Sequence, residues 1–188
     1  MEYIENQKFD KFNFTEIKFK IAEYDSCKFL NCEFSKVNLG NAVFSDCEFN
    51  GCNLSSSSLK NTAFKNVKFI DCKLLGLQFD GCNPFLLEMY FNNCNLNLST
   101  FYKLKLKKSK FIDCSLHEVD FSETDLTASL FDNCDFRNAI FENTILEKSD
   151  LSTSFNYIID PERNRIKKSM FSNDGLAGLL AKYNIVIQ

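Results

Sequence analysis

Nine cysteines, one histidine, a run of lysines and a block of acids are the side chains here with chemistry to offer. Thiols can ligate metal, form disulfides or act as nucleophiles. Their spacing points elsewhere. Cys32, Cys52 and Cys72 stand 20 residues apart, as do Cys94, Cys114 and Cys134, and no two form a C-x-x-C pair. A nucleophile needs a base within reach. His117, the single histidine, sits at an outward turn position with no cysteine or serine expected beside it. The thiols are therefore expected to be small inward fillers that stay reduced, in keeping with the cytoplasm. No catalytic residue, metal or cofactor is assigned, and the chain is read as a non-enzyme.

What spaces the cysteines is a repeat. A bulky apolar residue recurs every five positions, 15 times from Phe9 to Phe79 and 13 times from Phe91 to Leu151. Two residues before each stands a second, mostly small residue, as Cys27 stands before Phe29. A helix would spread a five-residue step around its whole circumference. A straight strand would alternate it between faces. The pattern works only if the chain bends once per unit, with the small and bulky residues inward and the last two residues turning. Residues that tolerate left-handed backbone recur at the second turn position: Asn31, Asn41, Gly51, Asn61, Asn66, Gly76, Gly81, Asn93, Asn133, Asn138 and Asn143. The 20-residue cysteine step makes four sides per coil, so the 28 units predict seven coils, a rod of roughly 34 Å. The expected class is an all-β solenoid, a four-sided parallel β-helix.

Along the chain, 1–153 is read as the repeat and 154–188 as a crossing segment, helix and tail. Residues 1–8 are expected to form an irregular cap, with Phe12 and Ile17 sealing the end of the core. Two extra residues interrupt the register at 82–90. There Pro84 cannot donate to a ladder, and Phe85, Leu86, Leu87 and Tyr90 compete for few inward places. Lys103, Lys105, Lys107, Lys108 and Lys110 follow. Without interleaved aromatics or neighbouring basic coils, they read as a solvated face. Residues 113–150 then carry ten acids: Asp113, Glu118, Asp120, Glu123, Asp125, Asp132, Asp135, Glu142, Glu147 and Asp150. Against Arg137 and Lys148 the net charge is −8, spread over four sides. Near the end, Leu176, Leu179, Leu180 and Tyr183 fall on one helical face that Asn173 or Asp174 could cap, and Ile185 and Ile187 follow in a strand-like tail. That apolar face needs a partner, either the open end of the rod or the same element of a second copy. No charged-apolar-small leader and no apolar run of membrane-spanning length is read.

Units such as N-C-E-F-S, S-D-L-S-T and E-T-D-L-T resemble the pentapeptide repeat family over about Phe9 to Leu151. The resemblance implies a right-handed quadrilateral β-helix. The crossing segment I-D-P-E-R-N-R-I and the ending L-A-G-L-L-A-K-Y-N-I-V-I look like the topoisomerase-protecting branch of that family, which holds the quinolone-resistance and microcin-immunity members. That branch implies a homodimer joined through the C-terminal helices. It implies a DNA-like acidic surface that binds DNA gyrase or topoisomerase IV and counters drugs or toxins. The alternative is a structural or adaptor rod with a different partner, and a third, minor reading is a nucleic-acid binder through the lysine run, which salt-dependent DNA binding would reveal. Neither of the first two readings calls for direct nucleic-acid binding, and none calls for a membrane or a small-molecule substrate.

Overall fold

The computed structural model describes residues 1–186. Each five-residue unit forms one short extended side and one corner. In the unit around Phe29, Cys27 and Phe29 are fully buried while Lys28 points out. The corner residue two places beyond the bulky one is left-handed. Asn31, Asn41, Gly51, Asn61, Asn66, Gly76, Asn93, Asn133, Asn138 and Asn143 all have φ between 50 and 66°. Gly81 is the exception: it lies in a 3-10 turn, Phe79–Gly81, that leads into the interruption.

Four corners close each coil, and successive coils stack in parallel register. One face of the rod is a four-stranded sheet of β1 (Tyr3–Glu5), β3 (Glu23–Asp25), β5 (Val43–Ser45) and β7 (Ala63–Lys65). The adjacent face is a nine-stranded sheet. It contains β2 (Lys8–Asp10), β4 (Lys28–Leu30), β6 (Glu48–Asn50), β8 (Val67–Ile70), β9 (Met89–Asn92), β10 (Lys110–Ile112), β11 (Leu130–Asp132), β12 (Asp150–Leu151) and β13 (Met170–Phe171). The other two faces pair through single bridges such as Asn95↔Ser115 and Asp120↔Ile140. Nine passes over one face make about eight turns, rather than the seven expected. The difference arises at both ends. Residues 1–8 contribute strands of a first coil, not an irregular cap, and Phe171 pairs beyond the last counted unit. Eight strand spacings give a rod of about 38 Å.

Aromatic columns fill the interior. Phe29, Phe49, Phe69, Phe91, Phe111 and Phe131 stack with ring centroids 4.7–5.3 Å apart and planes within 15°. The ring separation matches the strand spacing, so identical residues at identical positions stack without strain. A second column, Phe79, Phe101, Phe121 and Phe141, meets the first edge-on. At the N-terminal end Phe12 packs against Phe9 and Phe14 yet stays 42% exposed, and Ile17 45%, so these two do not seal the core.

The small inward residues also bond. Cys52, Cys72, Cys94 and Cys134 thiols donate to the carbonyls of Phe29, Phe49, Phe69 and Phe111 at 3.2–3.4 Å. Ser57, Thr124, Thr144 and Ser154 hydroxyls do the same to Phe34, Phe101, Phe121 and Phe131 at 2.7–2.9 Å. Each donor lies one coil beyond its acceptor, the backbone carbonyl of a bulky inward residue, and so ties neighbouring coils together inside the rod. Inward filling and hydrogen bonding are thus one requirement, met interchangeably by Cys, Ser and Thr.

Past Leu151 the chain crosses the rod end, burying Tyr157 and Ile159. A single short helix, α1 (Leu176–Leu180), lies over it. Neither Asn173 nor Asp174 caps this helix; the Ser172 hydroxyl accepts the Gly175 N–H at 3.0 Å. A five-residue helix cannot stand alone, and α1 is held by the rod. Ile159 N–H donates to the Gly178 carbonyl at 3.1 Å, and Leu179 is buried. A Cβ at Gly178 would come within 2.0 Å of the Tyr157 carbonyl oxygen, and one at Gly175 within 1.7 Å of the Tyr157 hydroxyl.

Candidate functional site

A core filled by its own side chains leaves the outer faces, the corners and the ends to act. The cysteines do not reach them. All nine are free and buried. Burial pushes the Cys47 thiol up to about 12 and raises Cys82 as well, which keeps both protonated. His117 lies outside, its Nε2 2.8 Å from an Asp135 oxygen.

The ten acids fall on every side of the C-terminal half. Five are ion-paired: Glu123 with Lys103, Asp125 with Lys107, Asp135 with Arg137, Glu142 with Arg163, and Glu147 with Arg165. Burial opposes ionisation of Asp125. Bonds from the Thr127 hydroxyl and N–H and from Lys107 outweigh it and hold the carboxyl below its usual range. Asp135 behaves likewise, with Asn156, His117 and the Arg137 N–H offsetting its burial. Asp113, Glu118, Asp120, Asp132 and Asp150 form no ion pair among the described residues. Asp113 and Asp132 share one corner, where they accept from Asn133 and Thr153 at 2.7 and 2.8 Å. Leu130 and Ile145 are half-buried on the outer faces, and Ile140 is exposed.

At the interruption the structure separates the competing residues. Pro84, Phe85 and Leu86 protrude, the last two 67% and 64% exposed. Leu87 folds back against the core. The inward place goes to Met89, which takes the register of Val67. Tyr90 stands outward on β9, between Lys68 on β8 and Lys110 on β10. The lysine run therefore does have an aromatic and a basic coil beside it, contrary to the sequence expectation. The outward row of this face reads Lys8, Lys28, Glu48, Lys68, Tyr90, Lys110. The misreading came from the two-residue insertion, which brings Tyr90 into line with Lys68 across 22 residues instead of 20.

At the far end Leu176, Leu180, Tyr183 and Ile185 are 36–55% exposed, whereas Leu179 faces its own rod. Ile187 lies outside the described residues. Lys182 ties this end down through Asp160 and Glu162 at 2.8 and 2.6 Å. No described helix is long and apolar enough to cross a membrane.

A four-sided β-solenoid with a core filled by its own side chains defines a repeat scaffold. The chain belongs to the pentapeptide repeat family: the model of the pentapeptide repeat region matches residues 17–84 and 86–155, breaking at the protruding Phe85. Among solved structures, a trypsin-treated form of QnrB1, a plasmid-mediated fluoroquinolone resistance protein, is similar with a TM-score of 0.57. Its identity is 18%, over 100% of this chain and 99% of that one. HetL, a pentapeptide repeat protein involved in heterocyst differentiation regulation from the cyanobacterium Nostoc sp. strain PCC 7120, has a TM-score of 0.55. Its identity is 10%, over 91% of this chain and 83% of that one. No curated protein matches.

Proposed function

We propose that this rod binds a type II topoisomerase, DNA gyrase or topoisomerase IV, and protects it from quinolones or from toxins that trap the cleaved complex. The observation that carries the reading is the division of charge along the rod. Residues 113–150 hold a net −8 within about two coils, while the rest of the chain is net positive. Five carboxylates without ion pairs over ~10 Å approach the ~6 charges that duplex DNA carries over the same length. The full-length correspondence of fold with QnrB1 is consistent with it. The active form is a homodimer. Leu176, Leu180, Tyr183 and Ile185 leave an apolar patch at the rod end, and a two-fold pairing covers both copies at once.

A second reading, an adaptor rod with another protein partner, is favoured by a different observation. The acids lie on four sides and half are already ion-paired, so they form no single stripe within one chain. Gyrase supercoiling of relaxed plasmid, titrated with this protein with and without a quinolone, separates the two. Rescue from the drug supports protection, and no effect in either arm moves the assignment to the adaptor.

A further inference from the structure

Beside the interruption lies a depression of about 490 Å³ whose lining includes Lys68, Tyr90, Lys107, Lys108 and Lys110, the apolar Ile70 and Leu87, and one carboxylate, Glu88. We propose that it binds single-stranded nucleic acid, one base stacking on Tyr90 and phosphates meeting the lysines on either side. This site is separate from the acidic half and does not depend on it.

Three observations converge. First, Lys68, Lys108 and Lys110 have no carboxylate partner among the described residues, and only Lys107 is engaged, with Asp125 at 3.2 Å. Unpaired cations in a concavity focus a positive field on whatever enters it. Second, strand register sets the order cation, aromatic, cation. Lys68 and Lys110 stand two strand spacings apart, about 9.6 Å, with Tyr90 between. That is the order phosphate, base, phosphate along one strand. Third, Tyr90 is held: Asn92 Nδ2 donates to its hydroxyl at 3.1 Å, and β9 packs between two strands. A ring fixed before binding loses little entropy on stacking. Ile70 and Leu87 supply the apolar surface a base requires. Lysine suits this task, since a flexible point charge follows a phosphodiester chain without demanding a fixed geometry.

The depression is too small for a duplex to enter, and a duplex hides its base faces. Single strands are therefore preferred. An acidic peptide satisfies the lysines but not the Tyr90 face.

The test is fluorescence anisotropy with a labelled oligothymidylate of about 12 nucleotides, a duplex of equal length and an oligoglutamate peptide. The single strand is expected to bind tightest. With three phosphates engaged, its affinity falls about twenty-fold between ~50 and ~200 mM salt. Tyr90→Leu is expected to weaken it about ten-fold with the salt slope unchanged. Lys68→Gln with Lys110→Gln should flatten the slope, and Glu88→Gln should tighten binding about two-fold. All four residues point outward, so circular dichroism should be unaltered. Duplex or peptide binding at least as tight as the single strand overturns the proposal, as does single-strand affinity indifferent to Tyr90→Leu.

Discussion

Phe111→Ala probes the principle that holds this rod together. The ring is wholly buried and stacks on Phe91 and Phe131 at 4.9 Å each, with Phe101 and Phe121 edge-on at 5.9 and 6.1 Å. Truncating it removes the transfer energy of a buried phenyl and leaves a cavity between two fixed rings. The expected cost is about 3–5 kcal/mol, a large share of a total stability of roughly 5–15 kcal/mol. Phe111→Leu fills most of the space and loses mainly ring–ring contacts, so about 1–2 kcal/mol is expected. Phe9 ends the same column with a stacked neighbour on one side only, Phe29 at 4.9 Å, and it is already part-exposed. Phe9→Ala should therefore cost about half as much as Phe111→Ala. In a solenoid each coil is supported only by its neighbours, so a weak central coil also uncouples the halves. Urea unfolding followed by circular dichroism should show a lower midpoint for both variants, lower for Phe111→Ala, and a broader transition for Phe111→Ala alone. A loss no larger than that of Phe9→Ala, with an unchanged slope, would refute column stacking as the source of cooperativity.

Thiol chemistry gives a second check: native protein should be inert to a disulfide reagent, with all nine cysteines reacting only in denaturant. At Cys52, replacement by Ser should be tolerated, whereas Val strips the Phe29 carbonyl of its thiol donor and costs about 1 kcal/mol by urea titration. Asp125 and Asp135 have depressed folded pKa values, so their stabilisation is complete above the unfolded value of about 3.9 and is lost as pH falls through the lower folded value. Asp125→Asn with Asp135→Asn should make the acid limb of a stability–pH curve shallower, and an unaltered limb contradicts the assignment. Gly178→Ala should undock the tail, since the new methyl meets the Tyr157 carbonyl, and trypsin should then cut at Lys182 sooner than in the parent. Leu176→Asp with Leu180→Asp is expected to yield a folded monomer in sedimentation. A persisting dimer moves the interface elsewhere, and Leu179 is avoided because it supports the fold of its own chain.

The sequence by itself determined the solenoid, its four sides and the inward pair in each unit. It could do so because every coil repeats the same local problem, and the period of the answer is printed in the chain. Even there the hydrogen-bonding duty of Cys52 or Thr124 was invisible, since its acceptor lies 23 residues away on the preceding coil. The tertiary structure alone decided what the repeat leaves unspecified. Met89, not Phe85 or Leu86, took the inward place after the interruption, because a bulge is settled by competition among neighbours and not by period. That choice set Tyr90 between Lys68 and Lys110. Ion pairs such as Glu142–Arg163 and Glu147–Arg165 thinned the acidic half, because outer side chains meet across coils according to corner geometry. The helix found its partner on the rod end through Gly178 and Tyr157, a fit of backbone to backbone that no apolar pattern records.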